Sequence, residues 1–294
     1  MRWYVAVLYR LMRLVGRLPL PVLHRAGAML GWLLLVMPNA ARRKARATVS
    51  LVITQFDGET RQSFLKSALR EAGKSVFEIC RIWSGDPRAA LALVRDVRGL
   101  ELFEQALAGP RGVIVAAPHL GCWELLNFWL CSRTPIAIAY RPPRQPALEP
   151  LLVRARGALA PEQVRAEGAA GVRRLYKRLA GGGVVGILPD QQPKQGEGEF
   201  APFFGTQALT MVLLSRLAQR TGATVLFAFA ERLAHGEGFR LHFLAAPDGI
   251  ADPDLPAAVA ALNRGVECCV RIAPSQYQWH YKRYSIRPPD VLQH

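Results

Sequence analysis

Val113-Ile-Val-Ala-Ala-Pro-His-Leu-Gly-Cys-Trp-Glu-Leu-Leu126 holds a change of backbone regime beside two proton-carrying side chains. The apolar, β-branched run from Gly112 to Ala117 predicts a buried strand, Pro118 breaks it, and an amphipathic helix is expected from near Gly121. His119 then lies in a strand-to-helix turn and Glu124 in the first helical turn. On one continuous helix, residues five apart face different ways. Across a turn they can converge, so that the carboxylate accepts from one imidazole nitrogen and leaves the other free as a base. A hydrogen-bonded loop histidine and a glutamate favoured by the helix N-terminus account for the same residues equally well.

Outward from this turn, strand and helix patterns alternate. Further apolar runs lie at Pro135 to Ala139, Val184 to Leu188 and Thr224 to Ala230, separated by helical stretches such as Gly171 to Leu179 and Leu209 to Gln219. Phe239 to Ala245 follows the turn His235-Gly-Glu-Gly238 and reads as the second strand of a hairpin. The fold expected is α/β, a mixed central sheet flanked by helices. From about Asn39 to Leu107 the pattern is helical, with Phe64, Leu65, Ala68, Leu69, Ala72 and Val76 marking an apolar face.

The 294 residues are 51% hydrophobic, enough for a sizeable core and too apolar for a disordered chain. A formal net charge of +16 calls for a polyanionic neighbour: nucleic acid, an anionic membrane surface or a phosphorylated substrate. The five cysteines, Cys80, Cys122, Cys131, Cys268 and Cys269, show no paired spacing and read as reduced and structural. Cys122 is read as a small buried hydrophobe at the helix start rather than a nucleophile. No second histidine stands one helical turn from His119, so no metal is expected.

Before the first acidic residue, Asp57, arginines are interspersed with apolar and aromatic side chains. The uncharged stretch Ala26 to Ala41 falls short of the roughly 20 residues that a spanning helix needs. A monotopic anchor is expected instead, with Trp3, Tyr4, Tyr9 and Trp32 at headgroup level, over an N-terminal membrane-associating unit 1–38 followed by a domain 39–294. Two ordinary core helices are the alternative.

Three further islands carry polar or special residues beside strands. Gly181-Gly-Gly-Val-Val-Gly-Ile-Leu-Pro-Asp190-Gln-Gln ends a strand with an acid, where open α/β sheets place functional groups; its glycines read as a helix C-cap and turn. Ala201-Pro-Phe-Phe-Gly-Thr206 either lines an apolar channel or packs the core. Ala273-Pro-Ser-Gln-Tyr-Gln-Trp-His-Tyr-Lys-Arg-Tyr-Ser-Ile-Arg-Pro288 interleaves aromatic and basic residues in a way that could stack bases, although no recognised nucleic-acid motif accompanies it.

In this order, His119-Leu-Gly-Cys-Trp-Glu124, Tyr140-Arg-Pro with Arg156 downstream, Leu188-Pro-Asp190-Gln, Phe203-Phe-Gly205 and the terminal island resemble the bacterial lipid A late acyltransferases, the lauroyl/myristoyl branch of the lysophospholipid acyltransferase superfamily. The resemblance covers most of the chain. It implies an acyltransferase core with an N-terminal hydrophobic or amphipathic helical anchor on the cytoplasmic face of the cell inner membrane. It further implies transfer of a fatty acyl chain from acyl carrier protein to a hydroxyl of a lipid A precursor, with no cofactor beyond that donor thioester. His119 becomes the base, Glu124 its orienting acid and Arg156 the first candidate for the thioester oxyanion, with backbone amides near Gly121 as further donors. Gly121, Trp123, Arg141 and Asp190 are placed at the substrate, and Arg141 and Arg154 either meet glycolipid phosphates or form a solvated basic face. The partners expected are acyl carrier protein, a phosphorylated glycolipid and the anionic membrane surface, for a monomer that binds no nucleic acid. Another lipid acceptor, such as a lysophospholipid or an ornithine lipid, is compatible with the same pair.

Overall fold

The structure is a computed structural model describing residues 3–56, 60–84, 86–140, 149, 153, 161–166 and 168–289. Four helices lead the chain, α1 (Trp3–Val15), α2 (Leu20–Val36), α3 (Ala40–Val52) and α4 (Arg61–Ser84), followed by a short α5 (Pro87–Leu91). The core alternates β1 (Val94–Arg98), α6 (Leu100–Ala108), β2 (Val113–Ala116), α7 (Trp123–Arg133), β3 (Ile136–Tyr140), β4 (Glu162–Arg165), α8 (Gly168–Ala180) and β5 (Val184–Ile187). It closes with a hairpin β6 (Gly198–Phe203) and β7 (Thr206–Met211), then α9 (Leu213–Thr221), β8 (Thr224–Arg232), β9 (Phe239–Ala245) and α10 (Leu255–Ile272).

The main sheet runs β1-β9-β8-β2-β5-β3-β4, parallel throughout except for the antiparallel β8–β9 pair. This is the mixed α/β sheet expected, including the hairpin read from His235-Gly-Glu-Gly238. Alternation along each strand feeds two cores. Val113, Val115 and Ala117 face α6 and α7, through Phe103, Leu125, Leu126 and Trp129. Ile114 and Ala116 face the other layer, with Leu175 and Leu179 of α8, Leu214 and Leu217 of α9, and Leu262 and Val266 of α10.

Two readings are corrected and one open alternative is decided. The helical stretch to Leu107 is interrupted by β1, an edge strand of sequence Val-Arg-Asp-Val-Arg whose charges reach solvent because only one side is paired. The helix placed from Leu209 begins at Leu213, because Leu209 to Met211 complete β7. Island residues Phe203 and Phe204 are fully buried and pack the core rather than line a channel. The glycine run behaves as read: α8 ends at Ala180 and Gly182 takes φ +77° in the turn to β5.

Helices α2 and α4 cross at glycines. A Cβ on Gly31 would meet the Leu69 carbonyl oxygen at 2.3 Å, and one on Gly73 would meet the Gly27 carbonyl oxygen at 2.1 Å, so the two backbones touch. A buried ionic cluster seals the same contact. Arg232, at the end of β8, pairs with Glu78 and with Glu71 at 2.7 Å and donates to Ser75 at 3.1 Å, all on α4; His24 of α2 bonds Glu78 at 2.7 Å. Burial works to raise the Glu78 carboxyl, but Arg232 and His24 bring it down to about 2.

Candidate active site

Two neighbouring parallel strands end alike. Ala116 of β2 is in register with Ile187 of β5, each strand is stopped by a proline, Pro118 or Pro189, and three residues beyond the paired positions stand His119 and Asp190. The register therefore delivers the two side chains to one point at the carboxyl edge of the sheet. The Asp190 carboxylate accepts from the His119 backbone N–H at 2.9 Å and lies 2.8 Å from Nδ1 of the same residue. The Tyr277 phenol, from the terminal island, lies near Asp190. Burial would raise the Asp190 carboxyl; the facing His119, the hydrogen bonds from it and the more distant Arg283 outweigh burial and hold it below the ordinary carboxylate range.

With an ionised carboxylate as its partner, Nδ1 carries the proton and Nε2 presents a lone pair. Gln191 meets that nitrogen, its Nε2 lying 3.0 Å from Nε2 of His119. Spacing assigned the orienting role to Glu124, whereas the carboxylate on Nδ1 belongs to Asp190. Glu124 is buried in the first turn of α7 and accepts from the Trp123 indole N–H at 3.2 Å.

The turn between Pro118 and α7 is tied on every side. Gly121 takes φ +58°, and a Cβ there would come within 1.9 Å of the Ala230 carbonyl oxygen, so only glycine fits. Its N–H donates to the Gln276 carbonyl at 3.2 Å, the Cys122 N–H to Ala230 at 2.9 Å and the Leu120 N–H to Pro118 at 2.7 Å. The amides at 120–122 are thus engaged within the protein and do not point at a substrate oxyanion. Gln278 N–H holds the His119 carbonyl at 3.1 Å. The Cys122 thiol is pushed well above its ordinary value by burial and by Glu78, as suits a packing residue rather than a nucleophile.

His119, Trp123, Glu124 and Gln191 open into a cleft of about 330 Å³ whose remaining lining is mainly apolar, including Ile79, Trp83, Ile187, Leu188, Met211 and Leu213. The rings of Trp123 and Tyr281 lie 5.3 Å from the imidazole. Such a pocket excludes water from most of a hydrocarbon chain while leaving one basic nitrogen exposed to a polar group. Among the described residues no cluster of histidine, cysteine and acidic side chains could hold a metal ion.

Arg141, Arg154 and Arg156 lie outside the described residues. Sequence reading passed over Gln191, Tyr277 and Gln276. Gln191 adjoins a residue that was singled out, so its position after Pro-Asp was the available signal; Gln276 reaches Arg232 and Gly121 only through tertiary contacts. Tyr277 and Trp279 of the terminal island form no stacking surface, since both are buried against Phe56, Phe64, Phe203 and Phe204.

Residues 1–285 match the model of the bacterial lipid A biosynthesis acyltransferases. The chain is 29% identical over 278 residues to the lipid A biosynthesis palmitoleoyltransferase of Escherichia coli (strain K12), covering 92% of this chain and 88% of that one. It is 27% identical over 281 residues to the lipid A biosynthesis lauroyltransferase of the same strain, covering 95% and 90%. With the myristoyltransferase of that strain it shares 24% over 280 residues, covering 93% and 83%. With a catalytic-type histidine and its carboxylate in an apolar cleft and a family match along nearly its whole length, the chain belongs to the bacterial lipid A biosynthesis acyltransferase family.

Proposed function

We propose that this protein moves a fatty acyl chain from acyl carrier protein to a hydroxyl of a lipid A precursor. His119 Nε2 takes the proton of the acceptor hydroxyl as its oxygen attacks the thioester carbonyl. Asp190 keeps the Nδ1–H tautomer in place and stabilises the imidazolium, with Glu124 standing on the cleft wall beside it. The tetrahedral intermediate collapses with cleavage of the carbon–sulfur bond, and the imidazolium proton passes to the departing thiolate. An ester and a free thiol result, with no covalent acyl-enzyme. Arg156 is assigned to the oxyanion by family resemblance. Gln191 donates to Nε2 and must give way to the acceptor hydroxyl.

The observation that supports this reading most is the His119–Asp190 pair with Nε2 turned toward an apolar cleft. The acceptor is proposed to arrive from a membrane surface at the cytoplasmic face. Val5 and Met12 of α1 are buried beside Ile79 and Trp83, two residues of the cleft wall, while the outer faces of α1 and α2 expose a run of large apolar side chains. Purified enzyme supplied with acyl carrier protein thioesters and a panel of tetra- and penta-acylated lipid A precursors should yield one further ester, identified by mass spectrometry. His119→Ala should reduce its rate by about 10²- to 10⁴-fold. Near-full transfer by that variant would overturn the mechanism, and acylation of another lipid in place of the precursors would overturn the acceptor.

A further inference from the structure

A second and larger hollow opens from the catalytic cleft. It measures about 740 Å³ and shares Ala166, Met211 and Leu213 with the cleft. Its walls are matching stripes of two helices, Ala169, Val172, Arg173 and Tyr176 on α8 and Leu213, Arg216, Leu217 and Arg220 on α9. Both stripes have the i, i+3, i+4, i+7 spacing of a single helix face. Helix α8 starts just past the carboxyl end of β4, and α9 ends just before β8, which runs parallel to β2. The groove therefore runs from the catalytic edge of the sheet toward its opposite edge, about 10 Å along α9 at 1.5 Å per residue.

Its chemistry is divided. The floor near the cleft is apolar, whereas Arg173, Arg216 and Arg220 stand exposed on the rim and make no ion pair among the described residues. The one acidic liner, Glu197, lies 4.0 Å from Lys194. By contrast, the adjacent Arg174 is held by Glu162 at 2.6 Å. The groove also leaves the cleft at residues other than Ile79 and Trp83, where the apolar helix α1 packs. This channel thus leads away from the route beside α1 proposed above for the acceptor.

We propose that the α8–α9 groove docks the acyl donor: its apolar floor takes the thioester-bearing arm and Arg173, Arg216 and Arg220 bind the phosphodiester and the acidic face of the carrier protein. This rests on the carrier-protein reading above. The donor then reaches His119 by a route separate from that of the acceptor lipid. An unpaired basic rim raises the association rate of an acidic partner and does so less as salt is added.

The test compares the full-length enzyme with a triple variant, Arg173→Glu with Arg216→Glu and Arg220→Glu, and with Arg111→Glu as an exposed arginine that does not line the groove. Dodecanoyl carrier protein is the donor probe and phosphatidylglycerol vesicles are the lipid probe. The triple variant should raise KM for the carrier thioester at least tenfold, weaken carrier binding in a surface-plasmon measurement to the same extent, and lose most of the salt dependence. KM for the lipid acceptor and vesicle binding should stay within twofold, and Arg111→Glu should change nothing. Replacing the same three arginines with lysine should restore most of the carrier binding. Unchanged carrier KM and binding in the triple variant would overturn the docking proposal, and so would a loss confined to vesicle binding or acceptor KM, which would make the rim a lipid contact. Wild-type enzyme that uses a different acyl donor would instead overturn the carrier-protein reading itself.

Discussion

His119 has a partner on each ring nitrogen, and the two constrain each other. A carboxylate on Nδ1 requires a proton there, so the amide nitrogen of Gln191 can approach Nε2 only as a donor. Asp190→Asn keeps the shape of the pair but lets an amide donate to Nδ1, which favours the tautomer whose Nε2 is already protonated. That variant should lose about 10²- to 10⁴-fold in kcat with an unchanged circular dichroism spectrum, and the Nδ1–H resonance of His119 should disappear from its ¹⁵N-resolved spectrum. Glu124→Gln should retain that resonance, and its loss there would return the orienting role to Glu124. The histidine was legible in its local context because a polar ring follows a buried strand and a proline. The carboxylate on Nδ1 was not legible because spacing reads only neighbours in sequence, whereas Asp190 lies 71 positions away and is brought in by strand register.

At the scale of elements, the longest apolar runs gave the central strands, since β2, β5 and β8 are covered on both faces and must be apolar throughout. Edge strands β1 and β4 and the β6–β7 hairpin lacked that signal, because partial exposure admits charge and breaks the pattern. The cluster linking α2, α4 and β8 was equally hidden: Glu71, Glu78 and Arg232 look like surface charges until the helices close over them. Removing one partner leaves the others buried and uncompensated, so Glu78→Gln should cost about 3–5 kcal/mol in chemical denaturation. Glu78 is held near 2 in the folded protein against an ordinary 4.5. Its contribution is fully present above pH 4.5 and is lost as the pH falls through about 2, because the unfolded chain binds the proton first. Wild-type stability should fall across that window, and the fall should be shallower in Glu78→Gln; equal slopes would remove Glu78 as the cause.

Across the whole molecule, no single helix among the described residues is long and apolar enough to cross a membrane, but α1 and α2 together form a pair bent by 120° that meets the test jointly. Leu14, Met29 and Met37, on or just past these helices, are 63%, 60% and 58% exposed; Trp32 stands out from α2, Arg10 and Arg13 from α1 and Arg25 from α2, and Arg17 is exposed in the turn between them. An apolar face studded with arginine suits insertion to headgroup depth. Leu14→Asp combined with Trp32→Asp should reduce flotation with phosphatidylglycerol vesicles several-fold without shifting Tm, since neither side chain supports the core; unchanged flotation would remove this face from the membrane contact. The α/β class, the strand-to-helix turn at His119 and the basic, apolar character of the N-terminus were determined by the sequence itself, because each follows from local periodicity, a helix breaker or charge bias. The tertiary structure alone decided which acid meets Nδ1 of His119, that the Gly121 amide is already engaged, that Tyr277 and Trp279 are core, and that α8 and α9 leave a basic groove between them. Those depend on register and packing between distant segments, and local pattern carries no record of either.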